Sequence, residues 1–369
     1  MSFVFTEDHD LVREQVDRLL QAQPSAHMLR TMLNGDMAAA RPAWQAVCEA
    51  GVPGTALPEH IGGNGLGYLD LCIIAEELGA NMTPVPVTSS RFLALEALLP
   101  FKQDPVCADC IRSFAAGKRI GALVDCRQPL SGSIETQSQS ASGTFNLPVD
   151  GLPADTVVAI CADGQLVLID LDQPDVAIRP TAPREPSWPV MTVTLSGADY
   201  HAVSKLPSSQ TSPDNFLARS AILVAFQQLG GAERCLAQAV ALGKDRRAFG
   251  RKIGSFQALK HMLADLYVTV ELARSNCLYA AWALDNDAET LPLAGALAHV
   301  SATTAYLECA KGNLQVHGAM GFTWEADCHL HYRRSLWLAG CLGGRPAWRR
   351  MIAQHLRAEA QAQEHAHAV

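Results

Sequence analysis

A helical period that stops near residue 118 and returns after Asp214 constrains this chain more than any single motif. After Thr6, the apolar residues Leu11, Val12, Val16, Leu19 and Leu20 recur at helix spacing. Trp44, Val47 and Cys48 make a shorter stripe, ended by Gly51 and Pro53. The Gly/Pro-rich passage GVPGTALPEHIGGNGLG then reads as loop, and LDLCIIAEELGA reads as a buried helix closed by Gly79. From Ile120 to about Pro207 the texture differs. Short apolar runs such as TVVAICA, GQLVLIDL and MTVTLSGA, punctuated by Gly, Asp and Pro, have the length and residue types of strands. The polar passage from Ser131 to Thr144 is expected to be loop. Beyond Asp214, three long alanine-rich segments are apolar on more than one side, as helices inside a bundle are. Helices, then strands, then helices argues for an α+β fold in separate layers, not an alternating parallel sheet. The expected domains are 1–117, helical; 118–207, a small β domain or barrel; and 208–357, a helical bundle. Residues 358–369 are expected to form a disordered tail.

Composition narrows the function classes. With 369 residues and 49% apolar content, the chain exceeds one ordinary compact domain. A formal net charge of -8 without a long run of either sign argues against a nucleic-acid partner. The charged opening MSFVFTEDHDLVREQV does not read as a secretory signal, and no stretch is apolar enough to span a bilayer. Eleven cysteines suggest reduced thiols and a cytoplasmic location. Cys107 and Cys110 form one CxxC with no second pair at zinc-finger spacing, so buried thiols are preferred over a metal site and no metal is expected.

Chemistry must come from longer constellations, because no GxSxG, HExxH or Walker motif is present and GGNGLG has no βαβ setting. In RRAFGRKIGSFQALKHMLADL, Arg246 stands at a helix end, where its planar fork suits a phosphate, and Phe249 is able to cover an aromatic base. In LQVHGAMGFTWEADCHLHYRR, Gly318, Ala319 and Gly321 permit close backbone approach, beside the polar groups of Gln315 and His317. Each segment alone is also compatible with an ordinary helix-to-helix corner. The loop-then-helix GVPGTALPEHIGGNGLGYLDLCIIAEELG suits one wall of a pocket.

Together, in this order and spacing, the segments resemble the acyl-CoA dehydrogenase family. They are similar to its RxxFG…FQ motif, its QxxGGxGF motif followed by WExD, and its LPEExGGxGL…EELG wall. The resemblance covers nearly the whole chain and is strongest from Asp214 to Arg334. It implies an N-terminal helical domain, a central β domain and a C-terminal four-helix bundle. It also implies FAD and an acyl-CoA thioester, with electron-transfer flavoprotein as the acceptor. Carried over by motif, Arg246 reaches the FAD pyrophosphate, and Phe249 and Gln257 line the adenosine side. Gln315, Gly318 and Ala319 hold the adenine or pyrophosphate from the facing turn, with Ala319 replacing the family's second glycine. The flavin-ring motifs depart further. ALVDCRQPLSGS puts Val124 where a hydroxyl residue is usual, and LPVDGLPAD puts Val149 and Asp150 in the usual hydroxyl neighbourhood.

The family's reaction needs a carboxylate to take the α-proton of the thioester. The resemblance implies two places for it. Nine residues past Arg333 stands Leu342, and counting back from Phe249 gives Ser220. Neither is a base of useful strength, and their neighbours Arg219, Ala221, Cys341 and Gly343 do not mend the loss. Glu233, a turn or more further along the same helix, is one remaining candidate; Glu325 and Asp327, for which capping or pairing in the turn competes, and Glu59, read as a wall residue, are the others. Heteromeric bacterial dehydrogenases of bulky, steroid-type acyl groups pair a glutamate-bearing subunit with one that lacks it. The resemblance thus implies a heterotetramer, active only with such a partner. The alternatives are a self-sufficient homo-oligomeric flavoenzyme with an unusual base, and a non-catalytic acyl-CoA binder or scaffold.

Overall fold

The computed structural model describes residues 6–128, 131–137, 140–181, 188–206, 215–286 and 289–367. The chain forms two compact units. One comprises Met1–Ala22, Cys72–Met82 and Gln210–Val369; the other comprises Gln23–Leu71 and Thr83–Ser209. Along the chain the order is helical, β, helical, an α+β fold. The expected domain boundary at 207 lies outside the described residues.

The helical first third contains α1 (Glu7–Gln21), α2 (Ser25–Leu33), α3 (Arg41–Glu49), α4 (Tyr68–Asn81), α5 (Glu96–Leu98) and α6 (Pro105–Ala115). A π-helix over Val87–Leu95 runs directly into α5. Asp104 starts α6 by accepting the backbone N–H groups of Val106 and Cys107, and Pro105 occupies the first helical position, where no donor is missed. Cys107 and Cys110 lie one turn apart on α6, both buried, with burial pushing their thiols up. No group of ligands suited to a metal occurs among the described residues.

Two four-stranded sheets share the core of the β region. Their strands are β1 (Gly121–Asp125), β2 (Gly132–Gln137), β3 (Ser140–Pro148), β4 (Thr156–Ile160), β5 (Gln165–Asp170), β6 (Val176–Pro180), β7 (Val190–Asp199) and β8 (His201–Lys205). The first sheet has the order β1-β4-β5-β8 and the second β2-β3-β7-β6. Among the described residues, only the β1–β4 pair is parallel. Val124, Val157, Ala159, Val167 and Ile169 from one sheet meet Ile134, Phe145, Val193 and Leu195 from the other. The passage from Ser131 to Thr144 is therefore corrected from loop to strand: β2 and β3 pair antiparallel from Gly132–Phe145 to Gln137–Ser140. Its polarity belongs to outward faces, since Ile134 and Ala141 are the residues it buries.

The C-terminal region holds α7 (Asn215–Asp245), α8 (Gln257–Asn286), α9 (Leu291–His317), α10 (Cys328–Gly340) and α11 (Arg345–His367). A small hairpin, β9 (Arg247–Ala248) with β10 (Arg251–Lys252), joins α7 to α8. α7 and α9 run the same way. Thr303 Oγ1–H donates to Gln228 Oε1 (3.0 Å) and Asn313 Nδ2–H to Gln238 Oε1 (2.7 Å), the same ten-residue step on both helices. Small residues suit close approach: both helices bury alanines, Ala218, Ala221 and Ala232 on α7 and Ala294, Ala298 and Ala305 on α9, and a Cβ added at Gly295 would stand 2.9 Å from the Ala218 carbonyl oxygen. α8 buries Leu266, Val270, Ala273, Cys277 and Ala280, an alternating four-and-three spacing that puts one stripe inside. The last helix reaches His367, so residues 358–367, expected in a disordered tail, are helical. Among the described residues, no helix is long and apolar enough to cross a membrane.

Candidate functional site

The corner between α7 and α8 meets the end of α9, all within one compact unit. Arg246 directly follows α7 and donates an Nη1–H to the carbonyl of His317 (3.0 Å), so its exposed guanidinium lies beside the turn that carries Gln315, Gly318 and Ala319. Gly318 ends α9 at φ 64°, ψ −142°, and a methyl placed there would meet no atom within 4 Å. Its conformation, not crowding, demands glycine. A single turn of 3₁₀-helix, Gly318–Phe322, follows and places Ala319 on the surface.

Phe249 tips the β9–β10 hairpin at φ 52° and is 95% exposed. Its ring meets that of Phe256 edge-on at 6.3 Å, and Arg251 lies 3.9 Å over the Phe256 ring. Gln257, the first residue of α8, is exposed next to that aromatic. The structure thus brings Arg246, Gln315, Gly318 and Ala319 to one corner, with Phe249 and Gln257 on the adjoining hairpin and helix start. The corner offers guanidinium, amide and ring groups to the surface. That donor set fits a phosphate and an aromatic base.

The two positions where a base was sought lie in the same unit and contain none. Ser220 is wholly buried on α7, its hydroxyl without a hydrogen-bond partner among the described residues. Leu342, after α10, packs against a cluster made by Ala221, Ala296 and Trp348. The Trp348 indole donates its Nε1–H to the Leu342 carbonyl (3.0 Å). Its ring lies 5.1 Å from that of His299, which is fully buried, with neither nitrogen hydrogen-bonded among the described residues. Burial pushes His299 down to about 4, so it is neutral at physiological pH. The sequence reading missed both His299 and Trp348. The spacing of His299 to Ala296 on α9 was the signal that could have found the first.

The substitute carboxylates stand elsewhere. Glu233 is on α7, thirteen residues from Ser220, which at 1.5 Å per residue is about 20 Å along the axis. It is ion-paired with Arg274, which also reaches Glu76 (3.2 Å), while Arg13 bonds Glu76 (3.0 Å) and Glu77 (2.7 Å). Burial, then Glu76, raises Glu233 to about 7. Glu325 and Asp327 are exposed in the turn before α10, and Glu59 is exposed in the first loop.

Val124, Val149 and Asp150, expected near the flavin ring, lie in the other unit and are engaged internally. Val124 is in the core shared by the two sheets. Asp150 is buried and accepts the backbone N–H of Ser89 (3.0 Å), and the Val149 carbonyl accepts Trp188 Nε1–H (2.7 Å). None of these three presents a hydroxyl.

A helical, β, helical chain with this corner is the architecture of acyl-CoA dehydrogenases, and the chain belongs to that family. The models described as acyl-CoA dehydrogenase N-terminal and C-terminal domains match residues 6–116 and 212–356. The family's cofactor is FAD. The chain is 32% identical to acyl-CoA dehydrogenase IpdE2 of Mycobacterium tuberculosis, over 89% of this chain and 91% of that protein. Among solved structures, it is similar to one from the ChsE4-ChsE5 complex from Mycobacterium tuberculosis, with a TM-score of 0.83 and 25% identity over 97% of this chain and 99% of the other. The Tcur3481-Tcur3483 steroid ACAD shares the fold at a TM-score of 0.81 and 24% identity, over 96% and 99% of the two chains.

Proposed function

We propose that this chain is the subunit of a heteromeric acyl-CoA dehydrogenase that lacks the catalytic glutamate and completes a partner's FAD site. The observation that carries the reading is the pair Ser220 and Leu342. Both family positions for the base are filled by groups that accept no proton, and Leu342 is packed with Trp348 in an apolar cluster. The adenosine-side corner supports it from the other direction. Arg246 keeps guanidinium N–H groups beyond the one given to the His317 carbonyl, and these would be able to reach a phosphate. Arg246 would hold the FAD pyrophosphate, Phe249 and Gln257 the adenosine side, and Gln315, Gly318 and Ala319 the facing turn. FAD bound there would supply a hydride acceptor for the β-carbon, and a carboxylate would be needed for the α-proton. That carboxylate comes from the partner, as does the hydroxyl edge for the flavin ring, since Val124, Val149 and Asp150 are turned to internal contacts.

The substrate in this reading is a bulky, steroid-type acyl-CoA thioester, the acceptor an electron-transfer flavoprotein, the assembly a heterotetramer and the compartment the cytoplasm. The ChsE4-ChsE5 complex, similar to this chain at 25% identity, is an assembly of two named proteins. The reading of a self-sufficient enzyme loses ground because Glu233 is engaged with Arg274 far along α7. The test is the visible spectrum of the full chain purified alone and after co-expression with a glutamate-bearing dehydrogenase subunit. A colourless lone chain and a yellow, active complex are expected. Flavin absorbance in the lone chain, bleached by an acyl-CoA, would overturn the reading.

A further inference from the structure

The loop of residues 51–67, Gly/Pro-rich and long, is bound to itself rather than extended. Asn64 Nδ2–H reaches Thr55 Oγ1 (3.3 Å) and the Gly51 carbonyl (3.4 Å), while Asn64 Oδ1 accepts the Leu66 N–H (3.3 Å). Gly63 lies so close to Leu57 that an added Cβ would stand 1.9 Å from the Leu57 carbonyl oxygen. Ala56 adopts φ 62°, uncommon for a residue with a side chain. Such a loop keeps its form only if something outside it over-determines the backbone.

That something is a buried ion pair in the same compact unit. Arg91 and Glu96 are 1% and 0% exposed, and Arg91 Nη1–H donates to Glu96 Oε1 at 2.6 Å. The other side of the Arg91 fork grips one atom: Nε–H and Nη2–H both donate to the Thr55 carbonyl, at 3.2 and 2.8 Å. Glu96 in turn accepts the Tyr68 hydroxyl at 3.0 and 3.1 Å. Thr55 stands near the start of the loop and Tyr68 is the first residue after it. One ion pair therefore holds both ends.

The helix winding explains the pairing. Residues five apart in an α-helix lie about 140° around the axis from each other, too far for neighbours on one face. Arg91 lies in the π-helix Val87–Leu95, and Glu96 follows at its end. A turn closed by i→i+5 bonds brings residues of that spacing round to nearly the same side. Burying two charges is costly and gives little net stability against an apolar replacement of the same shape. The expenditure is understood if the pair's purpose is geometric.

We infer that Arg91 and Glu96 are positioning residues: a clamp that fixes the 51–67 segment as a preset wall for the acyl thioester. The acyl part of this inference rests on the reading of that segment as a pocket wall of an acyl-CoA dehydrogenase. It does not depend on which subunit carries the base.

Hydrogen–deuterium exchange on the full chain co-purified with its partner tests it, using peptides of this chain alone. Arg91→Lys keeps the charge for Glu96 but loses the fork. Tyr68→Phe releases only the far end and leaves the ion pair whole, which guards against a variant that fails to fold. Both are expected to speed exchange in 51–67 at least tenfold while β4 and β5 keep wild-type rates. Adding octanoyl-CoA is expected to slow exchange in 51–67 in the wild type and to lose that footprint in Arg91→Lys. Unchanged loop rates, or equal loosening of β4 and β5, would overturn the clamp. An octanoyl-CoA footprint retained in Arg91→Lys would overturn the positioning role. Neither readout needs turnover, so a lone chain found to be active would refute the base-less reading and leave this result standing.

Discussion

His299 is a residue whose chemistry departs far from its sequence setting. In PLAGALAHVSATTAYLECAK, its three-residue spacing from Ala296 is the one mark that sets it apart from a polar residue on an exposed helix face. In the fold it is wholly buried beside Trp348, and burial holds it down to about 4 from 6.5. His331 behaves alike, pushed down to about 3 by burial and then by Arg234, with the Tyr306 hydroxyl 3.0 Å from its Nδ1. A histidine whose folded value lies below its unfolded value takes up its proton in the unfolded chain first. Stability is then present above pH 6.5 and is lost as pH falls from 6.5 towards about 4 for His299 and about 3 for His331. The His299 share, 1.36 kcal/mol per unit of difference, comes to roughly 2–3 kcal/mol at pH 4.5. His299→Leu should therefore lie close to wild type in urea midpoint at pH 8 and above it at pH 4.5. Equal pH dependence in the two proteins would show that His299 protonates freely in the folded chain. The same burial tells against His299 as a ready general base.

At the scale of elements, α4 and α7 meet backbone to backbone. A Cβ added at Gly79 would stand 1.8 Å from the Gln227 carbonyl oxygen, and one at Gly230 would stand 1.9 Å from that of Glu76. Both partners are main chain, so nothing flexible is available to give way. Gly230→Ala should lower stability by about 1–3 kcal/mol or more, through forced separation of the two helices. Gly340→Ala, also helical but with nothing within 4 Å, should be neutral or gain up to about 1 kcal/mol from reduced chain entropy. Thermal unfolding of the two variants checks this; equal midpoints would mean the α4–α7 contact yields at no cost. These elements also show where sequence was legible. The helical stripes of α1 and α3, and the β4, β5 and β7 runs, are written in apolar periodicity because each buries one face or a whole segment. The β2–β3 hairpin was not, because its residues are polar strands with few inward positions. The π-helix before α5 was not either, since Arg91 and Glu96 find their partners in Thr55 and Tyr68, contacts absent from local pattern. Of the candidate site, the meeting of Arg246 with the turn after α9 follows the order of the two motifs, whereas the Trp348–His299 contact depends on how α9 and α11 come together.

At the scale of the whole molecule, the question is what covers the surface that this chain leaves open. Around the Arg246 corner, Met320, Phe322 and Trp324 are exposed within a five-residue run, Phe322 by 73%, and Phe249 stands almost free on its hairpin. Single exposed apolar residues need no explanation, but a cluster of large ones beside unspent guanidinium donors marks an interaction surface. Aromatic and methionine side chains next to arginine are also the composition of an interface centre. In the proposed heteromer this corner is where the partner and the adenosine end of FAD arrive together. Phe322→Asp places a charge in that centre while touching nothing in the core, since its side chain is already in water. The variant should therefore fold as wild type, with an unchanged circular dichroism spectrum and unfolding midpoint. It should also fail to co-purify with the glutamate-bearing subunit, or do so at least tenfold more weakly, and lose the yellow colour of the complex. A Phe322→Asp chain that still brings down a yellow, active complex would place the interface on another face. A chain that loses colour but keeps its partner would separate the two roles of the corner and assign this residue to the cofactor alone.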